Sequence, residues 1–227
     1  KQTRNKKQNK SGNLGSSILN YRRIIGKYLQ ELLTSHIEMK KKVLFIFGTR
    51  PEAIKMAPVI RYFQQYPERW QVLVCVTAQH REMLDQVLDF FEIVPDYDLD
   101  LMMANQSLSQ LTARILEHLA PVMEAVQPDL VFVQGDTTTA FAGGLSAFYH
   151  GCPVAHIEAG LRSGNLLSPF PEEVNRIMTG HLARWHFAPT SGAAAHLHKE
   201  GIIENVFVTG NSVIDALLSG IEILKHK

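Results

Sequence analysis

From Val43 onward the chain alternates two hydrophobic patterns. Short β-branched and aromatic runs, Val43 to Phe47, Gln71 to Val76, Asp129 to Gln134, Pro153 to Glu158, Trp185 to Ala188 and Val206 to Thr209, lack the strict apolar/polar alternation of a half-exposed strand. They therefore read as strands buried on both faces. The segments between them are long enough for crossover helices. Strands and helices in alternation predict an α/β fold, a Rossmann-like, doubly wound parallel sheet with helices on both sides. Each strand also runs into a polar loop: Gly-Thr-Arg-Pro-Glu, Thr-Ala-Gln-His, Gly-Asp-Thr-Thr-Thr, Glu-Ala-Gly-Leu-Arg, Pro-Thr-Ser and Gly-Asn-Ser. In a parallel sheet these loops share the carboxyl edge, where open α/β sheets bind ligands. One site built from many loops is the expectation.

The first forty residues follow neither pattern. Lys1 to Ser17 is polar and basic, as disordered segments are, and Ile18 to Leu33 fits a short amphipathic helix. There is no apolar stretch followed by a small-residue cleavage site, so a secretory signal is not expected. Met39 precedes Lys-Lys-Lys and the first strand. The expected organisation is a leader over 1–38, a Rossmann-like domain over 39–210 and a helix over 211–227 leading towards a second domain.

Charge sharpens this division. Residues 1–42 hold eleven Lys and Arg against two Glu, whereas residues 43–227 hold twelve against twenty acids. An acidic globular part argues against nucleic acid as a partner, because such binders carry positive charge on the folded recognition surface. No window approaches the ~18 apolar residues of a membrane span. Cys75 and Cys152 lie in or beside apolar runs and read as small buried hydrophobes, which fits a reducing, cytoplasmic location. His196 and His198 would face different sides of a helix, so no metal site is expected.

The loops differ in the chemistry they offer. Gly48-Thr49-Arg50-Pro51-Glu52 reads as a βα turn, with Thr49 as N-cap and Pro51 near the first helical position. Arg50, and Lys55 one turn later, add a cationic corner suited to an anion. Neither G-x-G-x-x-G nor G-x-x-x-x-G-K-[ST] occurs at this turn, which disfavours dinucleotide and P-loop readings. Asp136 is a candidate catalytic acid or an N-cap for the helix through Ala140 to Tyr149. Glu158 closes an apolar strand ahead of Ala-Gly, a crowded and partly desolvated place for a carboxylate. Glu172 and Glu173 follow Pro171 into the first turn of a helix, where the dipole favours acids in any case.

Taken together, Phe-Gly-Thr-Arg-Pro-Glu-Ala-Ile-Lys-Met-Ala-Pro, Thr-Ala-Gln-His-Arg-Glu-Met-Leu-Asp-Gln-Val, Gly-Asp-Thr-Thr-Thr, Glu-Ala-Gly-Leu-Arg-Ser, Pro-Glu-Glu-Val-Asn-Arg and Thr-Gly-Asn-Ser-Val-Ile-Asp resemble the non-hydrolysing UDP-N-acetylglucosamine 2-epimerases. The resemblance runs from about Lys41 to Leu218. It implies two Rossmann-like domains of the glycosyltransferase-B type with the active site between them, of which this chain holds the first. It also implies interconversion of UDP-GlcNAc and UDP-ManNAc for cell-envelope polysaccharide synthesis, by elimination and re-addition of UDP, without a cofactor and in a homodimer. By the same resemblance Asp136, Glu158 and Glu172 match the catalytic acids. Arg50, Lys55, Gln79 and His80 match sugar-nucleotide positions, and Asp136 and Glu158 also belong to the substrate site. Where many members carry His before Gly-Asp, this chain has Gln134, which keeps hydrogen bonding without a titratable group.

Three alternatives stand beside this reading. One is a sugar-nucleotide glycosyltransferase on the same architecture. Another is a hydrolysing epimerase, against which the intact Gly-Thr-Arg-Pro-Glu-Ala-Ile-Lys run weighs. The third is a fragment that folds but needs the second domain, with its catalytic histidine and most of its nucleotide contacts, for turnover.

Overall fold

The computed structural model describes residues 40–78, 81–101, 103 and 105–226; the leader expected over 1–38, and Gln79 and His80, lie outside this set. Among the described residues the strands are β1 (Lys41–Phe47), β2 (Trp70–Val76), β3 (Tyr97–Asp98), β4 (Leu130–Gln134), β5 (Val154–Ile157), β6 (Trp185–Ala188) and β7 (Val206–Val208). They form one parallel sheet in the order β3-β2-β1-β4-β5-β6-β7. The six strands read from the sequence are all present, with ends shifted by no more than about two residues, as boundary reading allows. Strand β3 has only two residues at the sheet edge, too few to leave a hydrophobic pattern.

The connecting helices are α1 (Arg50–Gln64), α2 (Arg81–Phe91), α3 (Leu108–Val126), α4 (Thr138–Tyr149), α5 (Glu172–Leu182), α6 (Ser191–Lys199) and α7 (Ser212–His226). Successive side chains of a strand point to opposite faces, and both faces of the central strands are buried. On one face Phe45 stacks on Phe132 at 4.8 Å, and the ring of Phe63 from α1 meets both edge-on. On the other, Leu44, Ile46, Val131 and Val133 join Ile115, Leu119 and Met123 of α3 in a single core cluster. This two-sided burial explains why β1, from Val43 to Phe47, is apolar at every position.

Local sequence sets the helix starts. Ser107 caps α3, accepting the Gln110 amide while the Gln110 side chain accepts the Ser107 amide, a reciprocal capping box. Thr49 occupies the N-cap of α1, as its sequence context predicts. Gly48 before it does not adopt positive φ; what it provides is closeness, since a Cβ there would lie 2.0 Å from Thr77 Oγ1 and 2.8 Å from Thr139 Oγ1. Helix α7 returns against α1 and α2, with Ala216 buried and Gly220 facing the Phe90 ring. No helix of the described residues is long and apolar enough to cross a membrane.

Candidate active site

Strand β1 has β2 on one side and β4 on the other, so the chain winds away from β1 in one direction and then resumes in the opposite one. At such a switch point the connections diverge and leave a crevice beyond the carboxyl ends of the strands. Here its lips are Gly48-Thr49-Arg50 after β1 and Gly135-Asp136-Thr137 after β4, with Glu158 directly after β5.

Glu158 leaves the sheet in the left-handed region at φ 64°, a conformation that non-glycine residues seldom adopt. Its carboxylate collects donors from three other segments. Lys55 Nζ of α1 lies 2.5 Å from Oε2, Gln134 Nε2 at the end of β4 lies 2.6 Å from the same oxygen, and Asn211 Nδ2 before α7 lies 2.8 Å from Oε1. The Lys55 and Glu158 side chains are largely shielded, so their ion pair is only partly screened by water. Asn211 escaped the sequence reading, because an Asn in Thr-Gly-Asn-Ser gives no sign that it will face a residue 53 positions away. Gln134 hydrogen-bonds as its amide allows.

Asp136 is not a helix cap. Thr137 is the N-cap of α4 and accepts the Ala140 amide at 3.0 Å, which leaves the Asp136 carboxylate to other partners. That carboxylate pairs with Arg176 of α5, and Asn175 Nδ2 donates to the Asp136 carbonyl at 3.0 Å. Arg176 also donates to Glu173 at 3.0 Å. A Cβ added to Gly135 would sit 3.6 Å from Glu158 Oε2, so the Glu158 carboxylate overlies the residue just before Asp136.

The two glutamates after Pro171 separate in role. Glu173 is 1% exposed, and its Oε1 accepts the amides of Ser163 (2.9 Å) and Gly164 (3.0 Å). Burial by itself would raise its carboxyl, but these amides and the Arg176 guanidinium outweigh it and hold the group below the usual carboxylate range. Glu172 is half-buried, and among the described residues its carboxylate has no hydrogen-bond or ion-pair partner. Residues four apart on a helix share a face, so Glu172 lies on the face of Arg176, whose guanidinium reaches Asp136. Asp136 and Glu158 follow neighbouring strands at one end of the sheet, and Glu172 opens the helix whose Arg176 reaches Asp136.

Arg50 is exposed and unpaired among the described residues, whereas Glu52, two positions on, is 1% exposed. Gly48 N (3.0 Å) and Thr49 N (2.8 Å) donate to Glu52 Oε2, and the Thr137 hydroxyl donates to Oε1 at 2.6 Å. His156 is likewise buried. Its Nε2–H donates to the Gly135 carbonyl at 2.7 Å, and burial lowers its pKa to about 3, so the ring is neutral. Neither residue stands out in the sequence, since each lies inside an otherwise ordinary turn or strand.

The loop after Glu158 is fastened to α6. Arg162 makes a bidentate pair with Glu200 (both contacts 2.7 Å), and His196 Nδ1–H donates to the Gly160 carbonyl at 3.1 Å. Gly160 has φ +85°, and a Cβ there would lie 2.3 Å from the Ala193 carbonyl oxygen. Among the described residues no group of three His, Cys, Asp or Glu is arranged to hold a metal ion. Both cysteines are buried thiols, with pKa values pushed up to about 12 chiefly by burial.

A family model described as UDP-N-acetylglucosamine 2-epimerase matches residues 64–227. The UDP-N-acetylglucosamine 2-epimerase of Yersinia pestis is 59% identical over 177 residues, 78% of this chain and 47% of the relative. The chain therefore spans about half the length of the curated relatives it matches. The crystal structure of UDP-GlcNAc 2-epimerase from Neisseria meningitidis bound to UDP-GlcNAc is similar with a TM-score of 0.78 at 57% identity, covering 81% of this chain and 50% of that one. The Methanocaldococcus jannaschii UDP-GlcNAc 2-epimerase in complex with UDP-GlcNAc and UDP gives 0.75 at 37% identity, covering 82% and 51%. By sequence and by fold, the chain belongs to the UDP-N-acetylglucosamine 2-epimerase family.

Proposed function

We propose that this chain forms the acid-bearing wall of a non-hydrolysing epimerase that interconverts UDP-GlcNAc and UDP-ManNAc. The observation that carries the reading is the placement of Asp136 and Glu158 on one crevice edge beside Lys55, with Glu172 opening the helix whose Arg176 reaches Asp136 and Arg50 unpaired among the described residues. Relatives whose structures hold UDP-GlcNAc or UDP support the choice of substrate.

The chemistry explains why such a site needs several acids. The C2 hydrogen of the sugar is not adjacent to a carbonyl and is not acidic by itself. When the C1–O bond to the diphosphate breaks, its electron pair leaves with UDP and positive charge develops at C1, which acidifies the C2 hydrogen. A carboxylate takes that proton, and the C–H electrons form the C1–C2 double bond of 2-acetamidoglucal. Protonation of C2 from the opposite face and return of the UDP oxygen to C1 complete the epimerisation, with no net oxidation or reduction.

Glu172, with no partner among the described residues, and Asp136, with one carboxylate oxygen in its pair with Arg176, are open to exchange protons. Both oxygens of Glu158 are engaged, so it takes part in proton transfer once the bound sugar displaces Lys55, Gln134 or Asn211. A diphosphate beside carboxylates meets repulsion of about 4 kcal/mol per close pair at an effective dielectric of about 20. Arg50 and Lys55 offset it from this side. In this proposal Gln79 and His80 complete the sugar-nucleotide contacts, the half that the relatives have beyond this chain supplies the opposing wall, and the complete enzyme is a cytoplasmic homodimer.

Incubation with UDP-GlcNAc in heavy water, with deuterium at C2 followed by NMR, tests the function. The 227-residue chain alone is expected to give no exchange, and a fusion restoring the full length of the relatives is expected to exchange. A folded fusion that binds UDP-GlcNAc but leaves C2 protonated would refute the epimerase reading. Size-exclusion chromatography of the same fusion reads the dimer.

A further inference from the structure

We propose that Glu52 is a positioning residue that couples the two lips of the crevice, holding the cationic start of α1 and the acid-bearing loop after β4 at a fixed spacing. For its catalytic consequence the inference rests on the epimerase reading; for the coupling itself it does not.

A carboxylate as buried as Glu52 is unfavourable unless donors replace its lost water. The amides of Gly48 and Thr49 would suffice for a local cap of α1. The third donor, the Thr137 hydroxyl, comes from the opposite lip, 85 positions along the chain. That hydroxyl has a single hydrogen, which goes to Glu52, while its oxygen accepts the Ala140 amide at the start of α4. One carboxylate thereby orients the caps of two helices. Arg50 lies two residues before Glu52 and Lys55 three after it; Asp136 immediately precedes Thr137. Any change in the Glu52 to Thr137 contact alters the spacing between the anion-binding side chains and an acid.

The same contacts bear on where a diphosphate can lie. In doubly wound folds the amides at the start of the first helix commonly hold a ligand phosphate. Here an internal carboxylate already occupies the Gly48 and Thr49 amides, so a diphosphate on this lip must be met by side chains such as Arg50. Burial raises the Glu52 carboxyl despite its donors.

Glu52→Gln is the informative substitution because it keeps the shape and removes one acceptor. A single amide oxygen can serve Gly48 and Thr49 or Thr137, and the amide hydrogens then confront a donor on the other side. Amide hydrogen exchange in the 227-residue chain tests the coupling. Glu52→Gln should speed exchange at Ala140, which Glu52 does not touch, and Thr137→Val should speed it at Gly48 and Thr49, each by about ten-fold or more. Thr137→Ser keeps the hydroxyl and should leave wild-type rates, so it also serves if the other variants fold poorly: altered exchange at Gly48 and Thr49 in this variant would count against the coupling. Effects confined to the substituted loop would overturn it. In the full-length fusion, Glu52→Gln should lower kcat about ten-fold with KM within about two-fold, the pattern of misplaced rather than missing binding groups. A change in KM alone would overturn the positioning role. If the wild-type fusion shows no C2 exchange, the epimerase reading fails and amide exchange still decides the coupling.

Discussion

Replacing Gly160 with alanine separates two costs that are usually confounded. Gly160 combines φ +85° with a backbone approach that would bring a Cβ to 2.3 Å from the Ala193 carbonyl oxygen and 2.9 Å from Leu197 Cγ. Gly164, four residues on, has φ +77° with nothing within 4 Å of the same added atom. The left-handed conformation costs an alanine about 1 kcal/mol or slightly more at either position. The stiffer unfolded chain returns about 0.4–1 kcal/mol of this. At Gly160 the carbonyl belongs to the backbone of α6 and cannot rotate aside, so overpacking adds about 1–3 kcal/mol. In a domain of this size each kcal/mol moves Tm by about 2–4 °C. Gly160→Ala should therefore lower Tm by about 5–10 °C, and Gly164→Ala by about 2 °C or less. Calorimetry of the two variants against the parent chain measures both. Equal shifts, or a larger one at Gly164, would refute the claim that close packing of the Glu158 loop on α6 requires glycine at 160.

Other outcomes follow from charge and burial. His156 and His186 titrate at about 3 and about 4 in the fold, chiefly because burial disfavours their charged forms, against 6.5 in the absence of the fold. The unfolded chain then binds more protons below pH 6.5, so the stability these residues allow is complete above that pH and is lost as the pH falls towards 4. The slope should be about 1.4 kcal/mol per pH unit for each histidine in urea titrations between pH 6.5 and 4.5. Glu52, whose raised carboxyl favours the folded state on acidification, opposes the trend, and a flat profile would contradict neutral burial of the pair. Glu173→Gln should destabilise the chain by about 3 kcal/mol, because it strands buried partners of a charge network. Glu172→Gln should change stability by less than about 0.5 kcal/mol yet remove most C2 exchange in the full-length fusion. Unchanged exchange would assign Glu172 to the helix dipole alone.

Periodicity and loop composition made a large part of this molecule legible. Strands β1 and β4 are read correctly because double-sided burial leaves runs of consecutive apolar residues, a local signature. Strand β3 leaves none, since two residues on a sheet edge need little burial. Among the polar positions, Asp136 and Glu158 follow β4 and β5 as the sequence places them, and Lys55 of α1 pairs with Glu158. The sequence leaves Asp136 open between a catalytic acid and the cap of α4, and the cap is Thr137.

Chain-local rules settle the alternation of strand and helix, the edge at which the loops gather and the glycine- and acid-rich character of those loops, because each depends on residues a few positions apart. Partnerships are another matter. That Glu158 faces Lys55, Gln134 and Asn211, that Glu52 joins Thr137, and that Glu173 rather than Glu172 becomes a buried anchor depend on groups up to 103 positions apart. A carboxylate looks the same in the sequence whether it ends as a clamp or as an open acid. Its fate is set by how many donors the folded sheet brings to it and how much water it removes, and both quantities exist only once distant loops share one edge.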